Sequence, residues 1–392
     1  MSDEWRCVPA VSVARIEIGG TPAREQPTFW ADQDSGHAWA SIADLNSEVV
    51  VETAEYISDL GVRSSNVKLV PKGTPIMSFK LTIGRTALAG HDLYTNEAIA
   101  AFFADPSQVD TRFLLHILPG SARAVITDVA IKGVTLNKKS LASMPLLLPP
   151  IDQQRRIADI LDVVGDQIRY TSELLAKLRL QAEGLLDNLV SGIPEDRREP
   201  LAALCVADIC YGIVQSGEFV ADGVPVLSIR DLKGDFETGL HRTIRSIDAR
   251  HRRSRVAPGD VLLSIKGTIG RVGIAPEHYV GNVSRELARL RFGSQVLPEF
   301  ARLYFLSREA RRRLDLAVVG TTRAEVSIHV LKRFRFPVPG LDRQEHMVNV
   351  WGSIERRVVA EQENLAKLIT LRAGLANDLL TGHVRLPTEA IR

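Results

Sequence analysis

The side chains in this sequence with the clearest potential for chemical recognition are arginines, and many of them lie in one stretch, residues 242–285. Guanidinium groups form paired hydrogen bonds with phosphates and with the edge of guanine, so such a cluster can supply both affinity for a nucleic acid and recognition of its bases. A solvated loop or helix face is the competing interpretation. The predicted contact set is Arg242, Arg245, Arg250, Arg252, Arg253, Arg255, Lys266, Arg271 and Arg285.

Charge is distributed unevenly, although the formal net charge of the 392 residues is only +2. Basic residues exceed acidic ones by 8 in residues 201–340, whereas acidic residues exceed basic ones by 3 in residues 1–150 and again by 3 in residues 151–200. A local basic excess is typical of a polyanion-binding face. The corresponding set in the first region is therefore the weaker candidate: Arg63, Lys68, Lys80, Arg85, Lys132, Lys138 and Lys139.

The sequence lacks the common motifs of catalysis. It contains no phosphate-cradling GxxxxGK[ST], no GxSxG and no HExxH. An amino-methyltransferase that flips its target base would need a glycine-rich cofactor loop and an NPP[YF]-like clamp, and neither occurs. The three cysteines form no CxxC pair and the nine histidines are scattered. The chain is predicted to bind without doing chemistry, and to hold no cofactor and no metal.

The sequence contains an internal repeat. Residues 70–89 and 256–275 align without a gap at a shift of 186, and both contain Thr-Ile-Gly-Arg. SIADL at 41–45 matches SIRDL at 228–232, and residues 151–192 match 341–382 at a shift of 190. The glycines of the Thr-Ile-Gly-Arg segments, Gly84 and Gly270, are predicted to form tight turns with positive φ. The chain therefore consists of two copies of one unit.

The last quarter of each copy has an apolar seam that repeats every 3.5 residues, which predicts a coiled-coil helix. A single such helix cannot bury its seam alone, so the two are expected to pack antiparallel. Gly184 and Gly374, beside the seam, are expected to mark a close approach of the helices. The seam consists of Ile157, Leu161, Val164, Ile168, Thr171, Leu175, Leu178, Ala182, Leu185 and Leu189, matched by Met347, Trp351, Ile354, Val358, Glu361, Leu365, Leu368, Arg372, Leu375 and Leu379.

The rest of each copy has short β-branched runs broken by Gly, Pro, Asn and Asp, which predicts strands and long loops. The predicted fold class is α+β, with two mixed α/β domains in tandem at 1–150 and 193–340. Long helices at 151–192 and 341–384 separate them, and a tail covers 385–392. No stretch approaches the roughly 18 apolar residues of a membrane span and no leader is apparent, so a cytoplasmic protein is expected.

Taken together, these features resemble the specificity subunits of Type I restriction-modification systems over essentially the whole chain. GDVLLSIKGTIGR at 259–271 and its partner GTPIMSFKLTIGR at 73–85 carry the resemblance. So do DGVPVLSIRDL at 222–232 and the junction sequences LPPIDQQRRIADIL and PVPGLDRQEHMV. The first copy departs from the family pattern at Thr74, Met77 and Leu81.

The resemblance implies two target recognition domains that each read one half of a bipartite site in double-stranded DNA. It also implies docking to two methyltransferase subunits, with restriction subunits as a further class of partner. Thr322 and Arg323 follow Gly320 in a loop where the family approaches DNA, with a plain turn as the alternative. Candidate docking residues, for which surface solvation is the alternative, are Gln154, Arg155, Arg156, Gln344, Arg356 and Arg357.

One interpretation from another class stays open. The chain could be a coiled-coil adaptor of a phage-defence complex, whose globular domains bind protein rather than DNA. Selection from random duplexes separates the two, because only a DNA-reading chain enriches a gapped motif. Two readers held on one spacer would contact half-sites about one helical turn, roughly 10 bp, apart.

Overall fold

The structure, a computed structural model, describes residues 5–128, 136–234, 236–318 and 324–386. The chain forms two compact units. Unit 1 consists of Met1–Thr171 and Asn364–Arg392, and unit 2 consists of Ser172–Glu363. The limits of the units fall inside the two long helices, so each unit contains a part of both.

Short strands joined by long loops make up most of unit 1. Its elements are β1 (Arg6–Pro9), β2 (Ala14–Ile18), β3 (Trp30–Ala31), β4 (His37–Ala40), β5 (Val49–Val50), β6 (Glu55–Ile57), α1 (Asp59–Ser64), β7 (Leu69–Val70), β8 (Pro75–Ser78), β9 (Thr86–Ala89), β10 (Leu93–Thr95), β11 (Ile99–Ala104), α2 (Thr111–Asp128), α3 (Lys138–Ala142), β12 (Pro145–Leu148) and the first part of α4 (Ile151–Ser191).

Three sheets are formed by the strands of unit 1, in the orders β1-β12, β3-β6-β4-β10-β7 and β2-β11-β8-β9-β5. In the last sheet β8 pairs antiparallel with both β9 and β11. The loop between β8 and β9 therefore lies beside the segment that leads into β11.

The elements of unit 2 follow the last part of α4 along the chain. These are β13 (Arg198–Pro200), α5 (Leu201–Leu204), β14 (Cys210–Tyr211), β15 (Val224–Leu227), β16 (His241–Thr243), α6 (Arg245–Arg250), β17 (Val261–Ser264), β18 (Val272–Ile274), β19 (Asn282–Val283), β20 (Leu287–Leu290), α7 (Pro298–Leu306), α8 (Arg308–Leu316), α9 (Ile328–Arg333), β21 (Arg335–Pro337) and α10 (Leu341–Leu380), whose last part belongs to unit 1.

The sheets of unit 2 have the orders β13-β21, β14-β20-β17-β18 and β16-β15-β19. Here β17 pairs antiparallel with β18 and β20, as β8 does with β9 and β11 in unit 1. The repeated sequence thus builds the same three-stranded arrangement twice.

The repeated SIADL and SIRDL segments also form the same local structure. In each, the serine at the first position and the aspartate at the fourth make a reciprocal capping box around a 3₁₀ turn. Asp44 accepts from the backbone N–H and hydroxyl of Ser41, and Asp231 accepts from the same two groups of Ser228. Satisfying these donors fixes the chain direction where it leaves a strand.

Each unit has its own apolar core, into which the long helices contribute. In unit 1, Phe113 of α2 and Phe102 of β11 lie in one cluster with Ile157 and Leu161 of α4 and Leu379 of α10. The core of unit 2 contains Phe300, Tyr304 and Phe336, together with Leu186 of α4 and Met347 of α10. The helices are therefore parts of the two cores.

Burial along the long helices follows the predicted seam. Every seam position of α4 and α10 is buried or half-buried, including the polar members Thr171, Glu361 and Arg372. The interpretation of Gly184 and Gly374 was wrong: a Cβ atom at either position would meet no atom within 4 Å, so neither glycine marks a close helix approach. Both are exposed, because they lie beside the seam and not in it.

Within the described residues, no helix combines the length and the apolarity that crossing a membrane requires.

Candidate nucleic-acid interface

Part of the arginine stretch of unit 2 is gathered around a cleft of about 500 Å³. Arg252, Arg253 and Arg255 line this arginine cleft together with Arg289 and Arg291. Arg289 and Arg291 were missed from the sequence, although their alternation with apolar residues in and after β20 was a signal that they share a face. Asp208 is the one acidic residue in the lining, and this excess of arginine favours an anionic ligand.

Three of these five arginines are held by the fold. Arg255 pairs with the buried carboxylate of Asp248, and Arg291 donates to Asp260 in two hydrogen bonds of 2.7 Å. Arg289 is buried and donates to the carbonyl of Asp208 at 2.8 Å. Arg255 and Arg291 thus neutralise buried carboxylates, and Arg289 satisfies a backbone carbonyl.

Arg252 and Arg253 differ from the other three. Both lie in a 3₁₀ turn after α6 and are exposed. Among the residues that the structure describes, neither side chain forms a hydrogen bond or an ion pair. Their guanidinium groups are therefore available to a ligand in the cleft.

The remaining predicted residues around α6 do not line the cleft. Arg242 is half-buried and donates to the carbonyl of Gly223 at 3.1 Å, which gives it a structural role. Arg245 and Arg250, at the two ends of α6, are exposed.

Lys266 and Arg271 lie on the loop of residues 265–271, at the tip of the β17–β18 hairpin. Arg285 lies in the neighbouring segment of residues 284–286, which leads into β20. We call this loop and segment the hairpin corner of unit 2. Lys266 pairs with Glu325 at 2.9 Å and lies 5.8 Å from the ring centroid of Tyr211. Arg271 and Arg285 are exposed.

The hairpin corner adjoins the arginine cleft through β14. The ammonium of Lys266 at the corner lies over the ring of Tyr211, and the thiol of the preceding residue, Cys210, donates to the carbonyl of Arg253 at 3.3 Å. Cys210 also pairs with Arg289 in the sheet. The cleft and the corner are therefore neighbouring parts of one basic surface.

Unit 1 has the equivalent hairpin corner, formed by the loop of residues 79–85 and by residues 96–98 before β11. Both loops rest on a buried serine. Ser78 Oγ donates to the carbonyl of Thr82 and accepts from the N–H of Arg85, and Ser264 Oγ makes the same bonds with Thr268 and Arg271.

The turn glycines of the two loops behave as predicted. Gly84 and Gly270 both have a φ of +85°, and each donates its N–H to the carbonyl of the serine six residues before it. Only glycine adopts this conformation without strain. The turn is therefore a scaffold, and the side chains around it are free to differ.

The other predicted residues of unit 1 do not form one cluster. Lys80 and Arg85 lie on the hairpin loop, Arg63 and Lys68 lie in and after α1, and Lys138 and Lys139 lie in α3. All except the half-buried Lys80 are exposed. No described contact joins the three groups. Three further candidates, Lys132, Thr322 and Arg323, lie outside the described residues.

A second cavity, of about 530 Å³, lies in unit 1 and contains none of the predicted basic residues. Trp30, Tyr56 and Glu55 line it with Arg24, whose guanidinium carbon lies 4.1 Å from the ring centroid of Trp30. Arg24 also pairs with Glu55. The pairing and the stacking explain the position of Arg24 without a ligand.

The assignment of Gln154 and Gln344 to a partner-docking surface was wrong, because both side chains are completely buried. Gln154 accepts from the N–H of Asp110 at 2.9 Å and donates to the carbonyls of Gln108 and Pro149. An amide so fully bonded has no group left for a partner.

Gln344 forms the equivalent hydrogen bonds in unit 2. It accepts from the N–H of Leu297 at 2.9 Å and donates to the carbonyls of Gln295 and Pro339, both at 2.8 Å. The two glutamines thus fasten the start of each long helix to its own globular part. Of the other docking candidates, Arg155, Arg356 and Arg357 are exposed and Arg156 is half-buried.

Comparison with known proteins agrees with this duplicated architecture. A family model described as the Type I restriction modification DNA specificity domain matches residues 3–180 and again residues 215–368, which together make up most of the chain. The chain belongs to this family. Its two matches confirm that it contains two tandem specificity domains of mixed α and β structure, as the internal repeat predicted.

Individual specificity subunits are similar at low identity. The EcoBI specificity subunit of Escherichia coli is 26% identical over 321 residues, which cover 71% of this chain and 68% of that protein. A putative MjaX specificity subunit of Methanocaldococcus jannaschii is 20% identical over 300 residues, covering 72% and 70%.

Solved structures share the fold. A structure of a type I restriction-modification system, solved for its complex assembly and conformational transition, contains a chain with a TM-score of 0.63 at 18% identity, with 98% of this chain and 99% of that chain covered. The S subunit from M. genitalium matches with a TM-score of 0.59 at 13% identity, with 98% of both chains covered.

Proposed function

We propose that this chain is the DNA-reading subunit of a Type I restriction-modification complex and that each unit reads one half of a bipartite, gapped site. One observation carries the proposal: the same hairpin corner is built twice on an identical serine and glycine scaffold, but with different side chains around it. A duplicated scaffold with divergent side chains is what a protein needs to read two different half-sites with one geometry.

Electrostatic attraction between arginines and phosphates would make the first contribution to DNA binding. The basic excess lies in unit 2, where the side chains of Arg252 and Arg253 have no described partner in the arginine cleft beside the hairpin corner. Arginines contacting phosphates fix the register of the protein on the duplex, and side chains at the groove read the bases. We assign the cleft to the first task and the corner to the second.

The long helices are proposed as the spacer between the readers, paired as an antiparallel coiled coil. Two features support this pairing. The start of α4 and the end of α10 lie in the core of unit 1, and the end of α4 and the start of α10 lie in the core of unit 2. The burial of the seam residues follows the same 3.5-residue period in both helices.

The chemistry is assigned to partner subunits in the cytoplasm. Two methyltransferase subunits would dock on the helices, where Arg155, Arg356 and Arg357 remain exposed, and restriction subunits would join them. Within the described residues no group of His, Cys, Asp and Glu side chains could hold a metal ion. The chain itself is proposed to be non-catalytic.

Selection from a pool of random duplexes tests the function. The chain is assembled with its methyltransferase partner, bound duplexes are sequenced, and the chain alone serves as a second sample. We expect enrichment of a motif with two short half-sites separated by a fixed gap. An unenriched pool in both samples would overturn the DNA-reading function and favour a protein-binding adaptor.

A further inference from the structure

The two hairpin corners can be aligned residue by residue through their hydrogen bonds. In unit 1 the N–H of Phe79 donates to the carbonyl of Ala98 at 2.9 Å, and in unit 2 the N–H of Ile265 donates to the carbonyl of Glu286 at 2.8 Å. Phe79 and Ile265 are equivalent in the ungapped repeat, so Ala98 is equivalent to Glu286. The preceding residues, Glu97 and Arg285, therefore occupy the same position.

This position carries opposite charges in the two units, and both side chains are exposed. Among the described residues, the guanidinium of Arg285 makes no hydrogen bond or ion pair, so all of its donors are free. Glu97 accepts a hydrogen bond from the hydroxyl of Thr21 through Oε2, whereas Oε1 has no described partner.

The surroundings of Glu97 keep it ionised. The hydrogen bond from Thr21 is the main cause that lowers the pKa of this carboxyl, and the charges of Lys80 and Arg24 lower it further. An ionised carboxylate can only accept hydrogen bonds, whereas a guanidinium can only donate them. One position of the same scaffold thus presents acceptors in unit 1 and donors in unit 2.

The loop tip beside this position also differs between the units. Gly267 of unit 2 has a φ of +70°, which glycine adopts freely. Its equivalent, Leu81, has a φ of +58°, and 91% of its surface is exposed. A leucine gains nothing for folding in such a place, because the backbone is strained and the side chain is unburied. An unpacked apolar side chain on the loop that is bonded to the segment of Glu97 fits a contact made with a ligand.

We propose that positions 97 and 285 are the base-reading positions of the two half-sites. Arg285 donates to O6 and N7 of a guanine in the major groove. Glu97 accepts from the exocyclic amino group of a cytosine, and Leu81 contacts the bases beside it. These pairings follow the donor and acceptor pattern of the major groove. The inference rests on the proposed function, because it presupposes that the corners face DNA.

The test is the duplex selection repeated with the assembled complex of the Glu97→Arg and Arg285→Ala variants. We expect Glu97→Arg to change one position of one half-site from cytosine to guanine, with at least about 5-fold discrimination. Arg285→Ala is expected to lose a guanine preference of similar size at one position of the other half-site. In each case the untouched half-site should keep its sequence.

Glu52→Arg is the matched control, because it makes the same change of charge in unit 1. Glu52 is exposed and follows β5, which runs parallel to β9. It therefore lies beyond the end of β9 that is opposite to the hairpin tip. We expect this control to leave every base preference unchanged.

The outcomes separate the inference from the function it rests on. A gapped wild-type motif that neither variant alters, or that Glu97→Arg alters only as Glu52→Arg does, would overturn the inference and leave the proposed function standing. A wild-type complex that selects no motif would overturn both. Melting curves of the variants check that a lost preference does not come from unfolding.

Discussion

Leu81 is a residue at which stability and binding should oppose each other. A left-handed backbone costs a residue with a Cβ atom about 1–2 kcal/mol, and an exposed leucine recovers none of it by burial. Leu81→Gly is therefore expected to raise the free energy of unfolding by up to about 1 kcal/mol, after the larger entropy of glycine in the unfolded chain is subtracted. Denaturant titration measures the gain.

The same variant should bind the selected duplex several-fold more weakly, because it loses the apolar contact of the hairpin corner with the bases. Gly267→Leu is the mirror-image control, and it should lose stability because leucine replaces a glycine with a φ of +70°. If Leu81→Gly gained stability and bound DNA as the wild type does, Leu81 would not touch the DNA.

Arg255 and Arg252 line the same cleft but should respond differently to truncation. Burial alone would raise the pKa of Asp248, but hydrogen bonds from Arg255 and Asn282, with the nearby arginine charges, lower it instead. Arg255→Ala leaves this buried carboxylate without its charged partner, so Tm should fall by several degrees. Arg252→Ala removes no described contact and should change Tm little.

Lowering the pH should remove the difference in Tm between Arg255→Ala and Arg252→Ala. Because the folded-state pKa of Asp248 is lowered, the carboxylate stabilises the fold above its unfolded pKa of about 4. That stabilisation is lost as the pH falls through the folded value. A Tm difference that persisted unchanged at a pH below the folded-state pKa of Asp248 would show that Arg255 stabilises unit 2 through something other than this ion pair.

At the scale of elements, the sequence predicted features that a local pattern determines. The 3.5-residue period predicted both long helices, because burying an apolar seam requires that period. The positions predicted for them, 151–192 and 341–384, compare with α4 at Ile151–Ser191 and α10 at Leu341–Leu380. The positive φ of Gly84 and Gly270 was predicted because a tight turn needs it.

Features that depend on distant partners could not be predicted. Gln154 and Gln344 look like surface residues in the sequence, and only the fold shows that each amide bonds to a carbonyl and an N–H of a distant segment. Glu97 is not among the predicted DNA-contacting residues, because that prediction rests on positive charge alone. Its equivalence to Arg285 was available as a shift of 188, between the recognised shifts of 186 and 190.

Across the whole molecule, the two units have the same scaffold but differ in net charge. Residues 201–340 have a basic excess of 8, whereas residues 1–150 have an acidic excess of 3. Non-specific affinity for DNA comes from neutralised phosphates. Unit 2 should therefore supply most of the salt-dependent affinity, and unit 1 should depend more on the fit of its hairpin corner.

The salt dependence of DNA binding measures how much of the affinity comes from the arginine cleft of unit 2. Each phosphate contact contributes about 0.9 to the slope of log K against log salt concentration, so the double variant Arg252→Ala, Arg253→Ala should flatten the slope by about 1.8. Lys177→Ala with Arg179→Ala removes the same charge from exposed positions of α4 in unit 2 and should leave the slope unchanged. Equal slopes for the two double variants would mean that affinity follows total charge and that the arginine cleft holds no phosphate.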